Sequence, residues 1–369
     1  MRFSCEKDIL NDAISVCIHA VASKSSIAAL EGLLITAESD VSLCGYNFKT
    51  AIQKSFQADI LEKGIAVINA RVLADIVRKL PADIIEISVN EKLMATIKCG
   101  ASEFNIMATP ADEYPSLPDV DSDAGVRVQN AVLRDMISRT SFAISDNENK
   151  PIHTGALFEV EDQRLTMVAV DGYRMAIRRA ECQNLRHGGF SFVVPGDTLR
   201  EISRILPEDE EYTTVYPERK HALFQFNETL VTTRLLEGEF LNYRNAIPAD
   251  QPIQLEVDVK TIIESVERVS LIISERLKNP VRCLFEENSL KLSCITALGR
   301  SYDELSIPHC PETVEIGFNN RYLLDALRAI GEDSCILELK SGLSPCVFRP
   351  QEGDAYLYLV LPVRLKAGE

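Results

Sequence analysis

The stretch 69–80, NARVLADIVRKL, is written three times in this chain. Leu73, Ile76, Val77 and Leu80 fall at i, i+3, i+4 and i+7, an apolar helical stripe, with Arg71, Asp75 and Arg78 on the opposite face. Residues 319–330, NNRYLLDALRAI, repeat the pattern: Leu323, Ala326, Leu327 and Ile330 form the stripe, and Arg321, Asp325 and Arg328 face the other way. The middle copy, 195–206, is more diverged and sets Leu199, Ile202 and Leu206 against Glu201 and Arg204. Each copy closes on a breaker and an acid: Pro81 and Asp83, Pro207 and Asp209, Gly331 and Asp333. Arg78, Arg204 and Arg328 stand 126 and 124 residues apart, a domain-sized period too long for a solenoid. The repeat selects three similar domains within the 369 residues.

Their expected bounds are 1–120, 126–250 and 251–369. The proline-rich stretch 113–125, EYPSLPDVDSDAG, has the composition of a linker, and a second proline-flanked connector ends at Pro248. In the first domain a strand at 3–5 leads into a helix at 6–22, with Leu10, Ile14, Cys17 and Ile18 inward. Strands follow at 33–37, 41–45, 52–58 and 65–69, then the repeated helix, then strands at 84–89, 94–98 and 103–107. The second domain runs the same course from 126–128, through a helix from 131 with Val132, Leu133, Met136 and Ile137 inward, to strands at 155–160, 164–170, 174–180 and 190–195. The third begins at 254–257, continues through a helix at 260–273 and closes on a strand at 356–361. The expected class is α+β, each domain burying two helices against antiparallel sheets.

The chain carries little that points to catalysis. There is no Gly-rich phosphate loop, no G-x-S-x-G, no H-E-x-x-H and no zinc spacing, and His19, His153, His187, His221 and His309 are scattered. Asp119, Asp121 and Asp123 begin like a calcium loop, but Ala124 and Asn130 occupy the positions that need glycine and glutamate. No catalytic residue, cofactor or metal is expected, and a hydrolase with dispersed catalytic groups is the enzymatic alternative. The ten cysteines never approach C-x-x-C, and Cys17, Cys44, Cys99, Cys283 and Cys335 sit in apolar runs, as reduced thiols do. No run is long enough to cross a bilayer, and MRFSCEKDIL lacks the apolar core of a signal peptide, so a cytoplasmic protein is expected. A formal net charge of −16 opposes general adhesion to nucleic acid unless the basic residues are gathered on one surface.

Three loops are not ordinary connectors. Residues 170–175, VDGYRM, join an Asp-Gly turn directly to an aromatic and an arginine. Residues 235–248, LLEGEFLNYRNAIP, present Phe240, Leu241, Tyr243 and Ile247 in a segment punctuated as a loop. Residues 357–365, LYLVLPVRL, end a strand at Pro362 and leave Val363 and Leu365 beyond it.

The Asp171-Gly172-Tyr173-Arg174 turn, the Gly238-x-Phe240-x-x-Tyr243-Arg244 segment ending at Pro248, and Leu361-Pro362-Val363-Arg364-Leu365, set in a threefold repeat of this length, resemble the bacterial DNA sliding clamps, the β subunits of DNA polymerase III. The resemblance spans essentially the whole chain. It implies three clamp-type domains, with two chains closed head to tail as a homodimeric ring whose helices line a central hole and whose sheets form the outside. Such a ring has no catalytic role. It encircles double-stranded DNA without sequence specificity and tethers the polymerase III catalytic subunit, the clamp loader, and other polymerases and repair factors. It works in the cytoplasm at the nucleoid, with no membrane partner. Lys24, Arg71, Arg78, Arg200, Arg204, Arg321 and Arg328 would then face phosphates, contacts that carry no sequence information.

By the same resemblance a pocket for partner peptides comprises His153, then Val170, Gly172, Tyr173, Arg174 and Met175, then Leu241, Asn245 and Ala246, and finally Leu359, Leu361, Pro362, Val363, Arg364 and Leu365. The ring-closing contact maps to Phe104 and Ile106 of one chain against Ile272 and Ile273 of the other, the latter at the expected end of the helix 260–273. His153 stands where many relatives have leucine, Tyr173 where histidine is common, and Gly196 and Asp197 where basic residues are frequent. Residues 366–369 extend past the usual end. The alternative is a peptide-binding adaptor of the clamp fold, or a duplicate clamp without a replicative role of its own.

Overall fold

The computed structural model describes residues 1–274 and 279–365. The first copy runs β1 (Arg2–Glu6), α1 (Lys7–Cys17), β2 (Gly32–Ala37), β3 (Val41–Tyr46), β4 (Thr50–Phe56), β5 (Asp59–Glu62), β6 (Gly64–Asn69), α2 (Ala70–Lys79), β7 (Ile84–Val89), β8 (Met94–Cys99) and β9 (Ser102–Met107). The second repeats all of these in the same order: β10 (Val126–Gln129), α3 (Asn130–Ser138), β11 (Gly155–Glu161), β12 (Arg164–Val170), β13 (Arg174–Glu181), β14 (Gln183–Asn184), β15 (Phe190–Pro195), α4 (Gly196–Ile205), β16 (Tyr212–Pro217), β17 (His221–Phe226) and β18 (Thr229–Arg234). The third is β19 (Ile253–Asp258), α5 (Val259–Ser270), β20 (Val281–Glu286), β21 (Ser289–Thr296), β22 (Gly299–Ser306), β23 (Val314–Phe318), α6 (Asn320–Ile330), β24 (Ser334–Leu339), β25 (Cys346–Arg349) and β26 (Tyr356–Val360), with no counterpart of β5 among the described residues.

Pairing among the described strands is antiparallel and makes four sheets. Two stay within a copy, in the orders β5-β1-β7-β8-β9 and β22-β21-β20-β23. Two are shared between copies. In the sheet β14-β10-β16-β17-β18-β4-β3-β2-β6 the junction sets 229–233 of β18 against 50–54 of β4. In β15-β11-β12-β13-β26-β25-β24-β19 the junction sets β26 against β13, with Val360 opposite Arg174. The described chain accordingly divides into two compact units. One holds Met1–Leu133, Gln183–His187 and Asp197–Leu235, and the other holds Arg134–Cys182, Gly188–Gly196 and the described residues from Leu236 on. The middle copy is thus split between two sheets, although its sequence is continuous.

The three repeated helices form as their periodicity requires. Leu73, Val77 and Leu80, Leu199, Ile202 and Leu206, and Leu323, Ala326, Leu327 and Ile330 are all buried, whereas Ile76 of the first stripe is half-buried. Asn69 caps α2 by accepting from Val72 N at 3.0 Å, and Asn319 caps α6 from Arg321 N and Tyr322 N at 3.0 and 3.3 Å. Each cap contributes about 1 kcal/mol. α6 stops at Gly331, which holds φ 70°; a Cβ there would lie 1.7 Å from the Arg139 guanidinium.

Several expected boundaries move. The helix at 6–22 ends at Cys17 and tightens into a 3₁₀ turn, Ile18–Ala20, where β3 passes so close that a Cβ on Gly45 would meet Cys17 O at 2.2 Å. The helix at 260–273 ends at Ser270, so Ile272 and Ile273 lie in the segment after it and are half-buried. Leu271, 84% exposed, is the apolar residue offered to solvent there. The strand read at 52–58 runs from Thr50 to Phe56, and the closing strand stops at Val360. The short strands β5 and β14 carry too few residues to show an alternation. All ten cysteines are buried free thiols, and burial pushes Cys283 up to about 12. Among the described residues no helix is long and apolar enough to cross a membrane.

The two faces of α6 should respond oppositely to truncation. Leu327→Ala removes a fully buried side chain and should lower the opening free energy of α6 by about 2–5 kcal/mol, read from amide hydrogen exchange. Arg328→Ala, on the exposed face, should change it by less than about 1 kcal/mol.

Candidate functional site

Residues 170–175, 236–248 and 357–365 of the three distinctive loops lie in the same compact unit and meet there. In the β12–β13 hairpin, Asp171 Oδ1 accepts from Tyr173 N and Arg174 N at 2.9 and 3.0 Å, and Gly172 adopts φ 90° at the tip. The segment leaving β26 is laid beside this turn: Leu361 N donates to Tyr173 O at 2.8 Å. Two residues on, Val363 N donates to Gly317 O at 2.8 Å, a single bridge to β23. Leu365 covers Gly317 so closely that a Cβ there would lie 2.5 Å from its Cδ2.

Beneath these loops lies an apolar cluster that includes Val170, Met175, Leu359 and Tyr243, with Ile152, Leu236, Phe240 and Ile247 packed at its margin. His153 stands edge-on to Phe240 at 5.5 Å, and burial followed by Lys150 lowers its pKa from 6.5. Tyr173, Leu241, Leu361 and Val363 are 61%, 46%, 37% and 37% exposed, so the four remain open to a ligand. Asn245, Ala246 and Arg364 are exposed, and Pro362 and Leu365 half-buried. Residues 366–369 lie outside the described residues.

Three residues are placed otherwise than the sequence suggests. Tyr243 is not presented by its loop but buried, 4% exposed, with its hydroxyl donating to Glu159 Oε2 at 2.6 Å. Arg244 grips the same carboxylate at 3.0 and 2.6 Å, and burial together with Glu159 raises the phenol's pKa. Arg174 does not face solvent either. Its guanidinium donates to Asp171 at 2.9 Å and Asp325 at 2.5 Å and lies over the Tyr322 ring at 4.4 Å. It therefore braces the turn. Tyr322 stacks on Tyr173 with centroids 5.9 Å apart, a contact absent from the sequence reading. The available signal was an aromatic in the repeated helix where the first copy has Val72. Asp325, read as part of an exposed face, is in fact half-buried in this ion pair.

The expected DNA-facing residues, Lys24, Arg71, Arg78, Arg200, Arg204, Arg321 and Arg328, are all exposed. Most have a local carboxylate: Arg78 pairs with Asp75, Arg200 with Asp197, Arg204 with Glu201 at 2.8 Å and Arg328 with Glu267 at 2.6 Å. The six helices carry eleven Lys and Arg against nine Asp and Glu, a net of +2 in a chain of −16. Phe104, 39% exposed, and half-buried Ile106 lie on β9, the open edge of its sheet. Among the described residues no three His, Cys, Asp or Glu side chains gather as a metal site.

Removing Arg174 leaves Asp171 and Asp325 without their shared cation. Arg174→Ala should cost on the order of 3 kcal/mol in chemical unfolding. The fold favours neutral His153, so its contribution is complete above 6.5 and erodes as pH falls through 6.5 toward the folded value. An NMR titration of its ring should accordingly show a midpoint below 6.5.

Comparison with known proteins agrees with this architecture. Residues 1–118, 127–242 and 244–364 match the N-terminal, central and C-terminal domain models of the DNA polymerase III beta subunit. The chain is 32% identical to the beta sliding clamp of Halalkalibacterium halodurans and 29% identical to that of Bacillus subtilis, each over 99% of this chain and 100% of the relative. The solved DNA polymerase sliding clamp from Bacillus subtilis superposes with a TM-score of 0.96 at 28% identity, and the putative DNA polymerase III beta subunit from Eubacterium rectale with 0.95 at 30%. Both superpositions cover 99% of this chain and 100% of the other. With all three domain models matched in series, the chain belongs to the DNA polymerase III β-subunit family, the bacterial DNA sliding clamps.

Proposed function

We propose that this chain acts as a clamp by closing head to tail with a second copy around duplex DNA. The observation that carries this is a pairing rule. The last strand of the second copy, β18, lies on β4 of the first, and the last strand of the third, β26, lies on β13 of the second. By the same rule β9 pairs with β22, and among the described strands of the single chain both are open edges. Two copies related by a twofold axis satisfy both edges at once and close the ring. That contact covers Phe104 and Ile106, together with exposed Met107 and Tyr302. It also lies beside α5, which is bound to β22 through Ser265 and Arg268 to Asp303, and so beside Ile272 and Ile273.

The proposed domains are 1–120, 126–250 and 251–369. Lys24 and the six helix arginines contact phosphates, and the local carboxylates of Arg78, Arg200, Arg204 and Arg328 keep those contacts weak. Retention comes from encirclement, so the ring slides on any sequence. As the β subunit, the chain is the non-catalytic processivity member of the polymerase. The site built from the three loops takes a leucine or aromatic anchor from an extended peptide, with its apolar cluster as floor and Arg364 at its edge. This is the tether for the polymerase III catalytic subunit, the clamp loader and repair factors, in the cytoplasm at the nucleoid.

Loaded by a clamp loader, the protein should co-elute with circular plasmid in gel filtration and be lost when the plasmid is cut once. Equal retention on both forms means binding by affinity and defeats the ring. Leu365→Ala with Arg364→Ala should leave the dimer intact and lower polymerase stimulation at least tenfold; undiminished stimulation removes the peptide assignment.

A further inference from the structure

The junction between the first and second copies reproduces the scaffold of the peptide site in detail. The β3–β4 turn is held as the β12–β13 turn is: Asn47 Oδ1 accepts from Lys49 N and Thr50 N at 3.1 and 2.9 Å, in the place of Asp171 with Tyr173 and Arg174. Asn47 N donates to Thr50 O at 3.2 Å, where Asp171 N donates to Arg174 O at 3.3 Å. The strand from the following copy is laid alongside in the same way: Arg234 N donates to Lys49 O at 2.9 Å, as Leu361 N does to Tyr173 O at 2.8 Å. The floor is equivalent too. Cys44, Tyr46, Ala51 and Tyr114 are buried in one cluster with Ile27, Leu34 and Leu117 at its margin, and Tyr114 enters from the connector as Tyr243 does.

The differences give this second site its own chemistry. At the tip, where the first site has Gly172, stands Phe48, 54% exposed and held at φ 68°. A bulky aromatic in left-handed backbone is uncommon and strained, and this one presents its ring to solvent 5.5 Å from that of Tyr46. Lys49 follows it. Lys220, whose carbonyl accepts from Leu235 N at 2.8 Å, and its neighbour Arg219 lie at the same end of the sheet. Lys49, Arg219 and Lys220 are exposed, and among the described residues none is in an ion pair, while the nearby Glu218 carboxylate accepts from Asp121 N at 2.7 Å. In a chain of −16, Lys49, Arg219 and Lys220 set three cations without an ion pair beside an exposed aromatic, with the carboxylates of Glu218 and the linker Asp121 next to them.

We propose that the turn carrying Phe48 and Lys49 is a second docking site in each chain, for an acidic peptide bearing an apolar anchor. The anchor packs on Phe48 and the margin of the Tyr46–Tyr114 cluster, and the peptide's carboxylates meet Lys49, Arg219 and Lys220. The inference borrows the geometry of the first site and rests on its reading as a peptide site.

The test is titration calorimetry of the full-length dimer with a synthetic dodecapeptide of Asp and Glu containing one Phe-Leu pair. Wild type should take two peptides per chain. Leu365→Ala with Arg364→Ala should keep one, and Phe48→Gly with Lys49→Glu should keep the other. Raising salt from ~50 to ~500 mM should weaken the Phe48 site roughly tenfold. Glycine relieves the left-handed backbone, so the Phe48 variant should melt no lower than wild type, and lost binding there is not lost folding. One peptide per chain, abolished at Leu365, overturns the proposal, as does a Phe48 variant that still binds two. One peptide abolished only at Phe48 upholds this site and defeats the first. Binding of oligothymidylate at Phe48 in place of the peptide overturns the occupant.

Discussion

An unpaired sheet edge is the constraint on which the rest of this molecule depends. A strand with open N–H and C=O groups must find a partner or stay exposed. Each copy of the repeat ends on such a strand, and the second and third satisfy it outside themselves: β18 on β4 and β26 on β13. The sheets therefore do not coincide with the sequence repeats, and the middle copy serves two of them. β9 and β22 are the same two edges without a third copy between them, so the demand for a second chain follows from the pairing that holds one chain together.

The surface proposed to take partner peptides is a product of that junction. Where a foreign strand is laid against a hairpin, its outgoing end runs beside the hairpin turn, and the connector between copies covers the cluster beneath. Apolar residues at the turn and at the outgoing end are then left exposed over a closed floor. Arg174 makes the turn rigid by joining Asp171 to Asp325, so the carboxylate that fixes the site belongs to a helix that also carries Arg321 and Arg328. The junction between the first and second copies has the same turn geometry, so the Phe48 turn repeats the scaffold with different side chains.

Charge is distributed by the same logic. The helices are close to neutral and slightly positive while the remainder of the chain carries the acidic excess. Arginines such as Arg78 and Arg200 keep a carboxylate one turn away, which would limit the hold of the proposed DNA-facing residues on any one phosphate. A protein that must not stop on DNA gains from weak contacts, provided something other than affinity retains it.

Much of this was legible in the chain itself. The apolar stripes of the repeated helices are local patterns, because helix hydrogen bonds join residues only a few positions apart, and their recurrence marks the threefold period. The end of α5 was not legible: the apolar run through Leu271, Ile272 and Ile273 contains no breaker, and periodicity alone continues it. Tyr243 looked exposed because Gly238 and Pro248 punctuate its loop, yet its partner Glu159 lies 84 residues away. Asp325 lies 151 residues from the Arg174 it binds. The sequence by itself determined the elements, their order and their repetition. Only the tertiary structure decided which copy's strand closes which sheet, and hence where the three loops meet, because the pairing of distant edges leaves no periodic mark in the residues that make it.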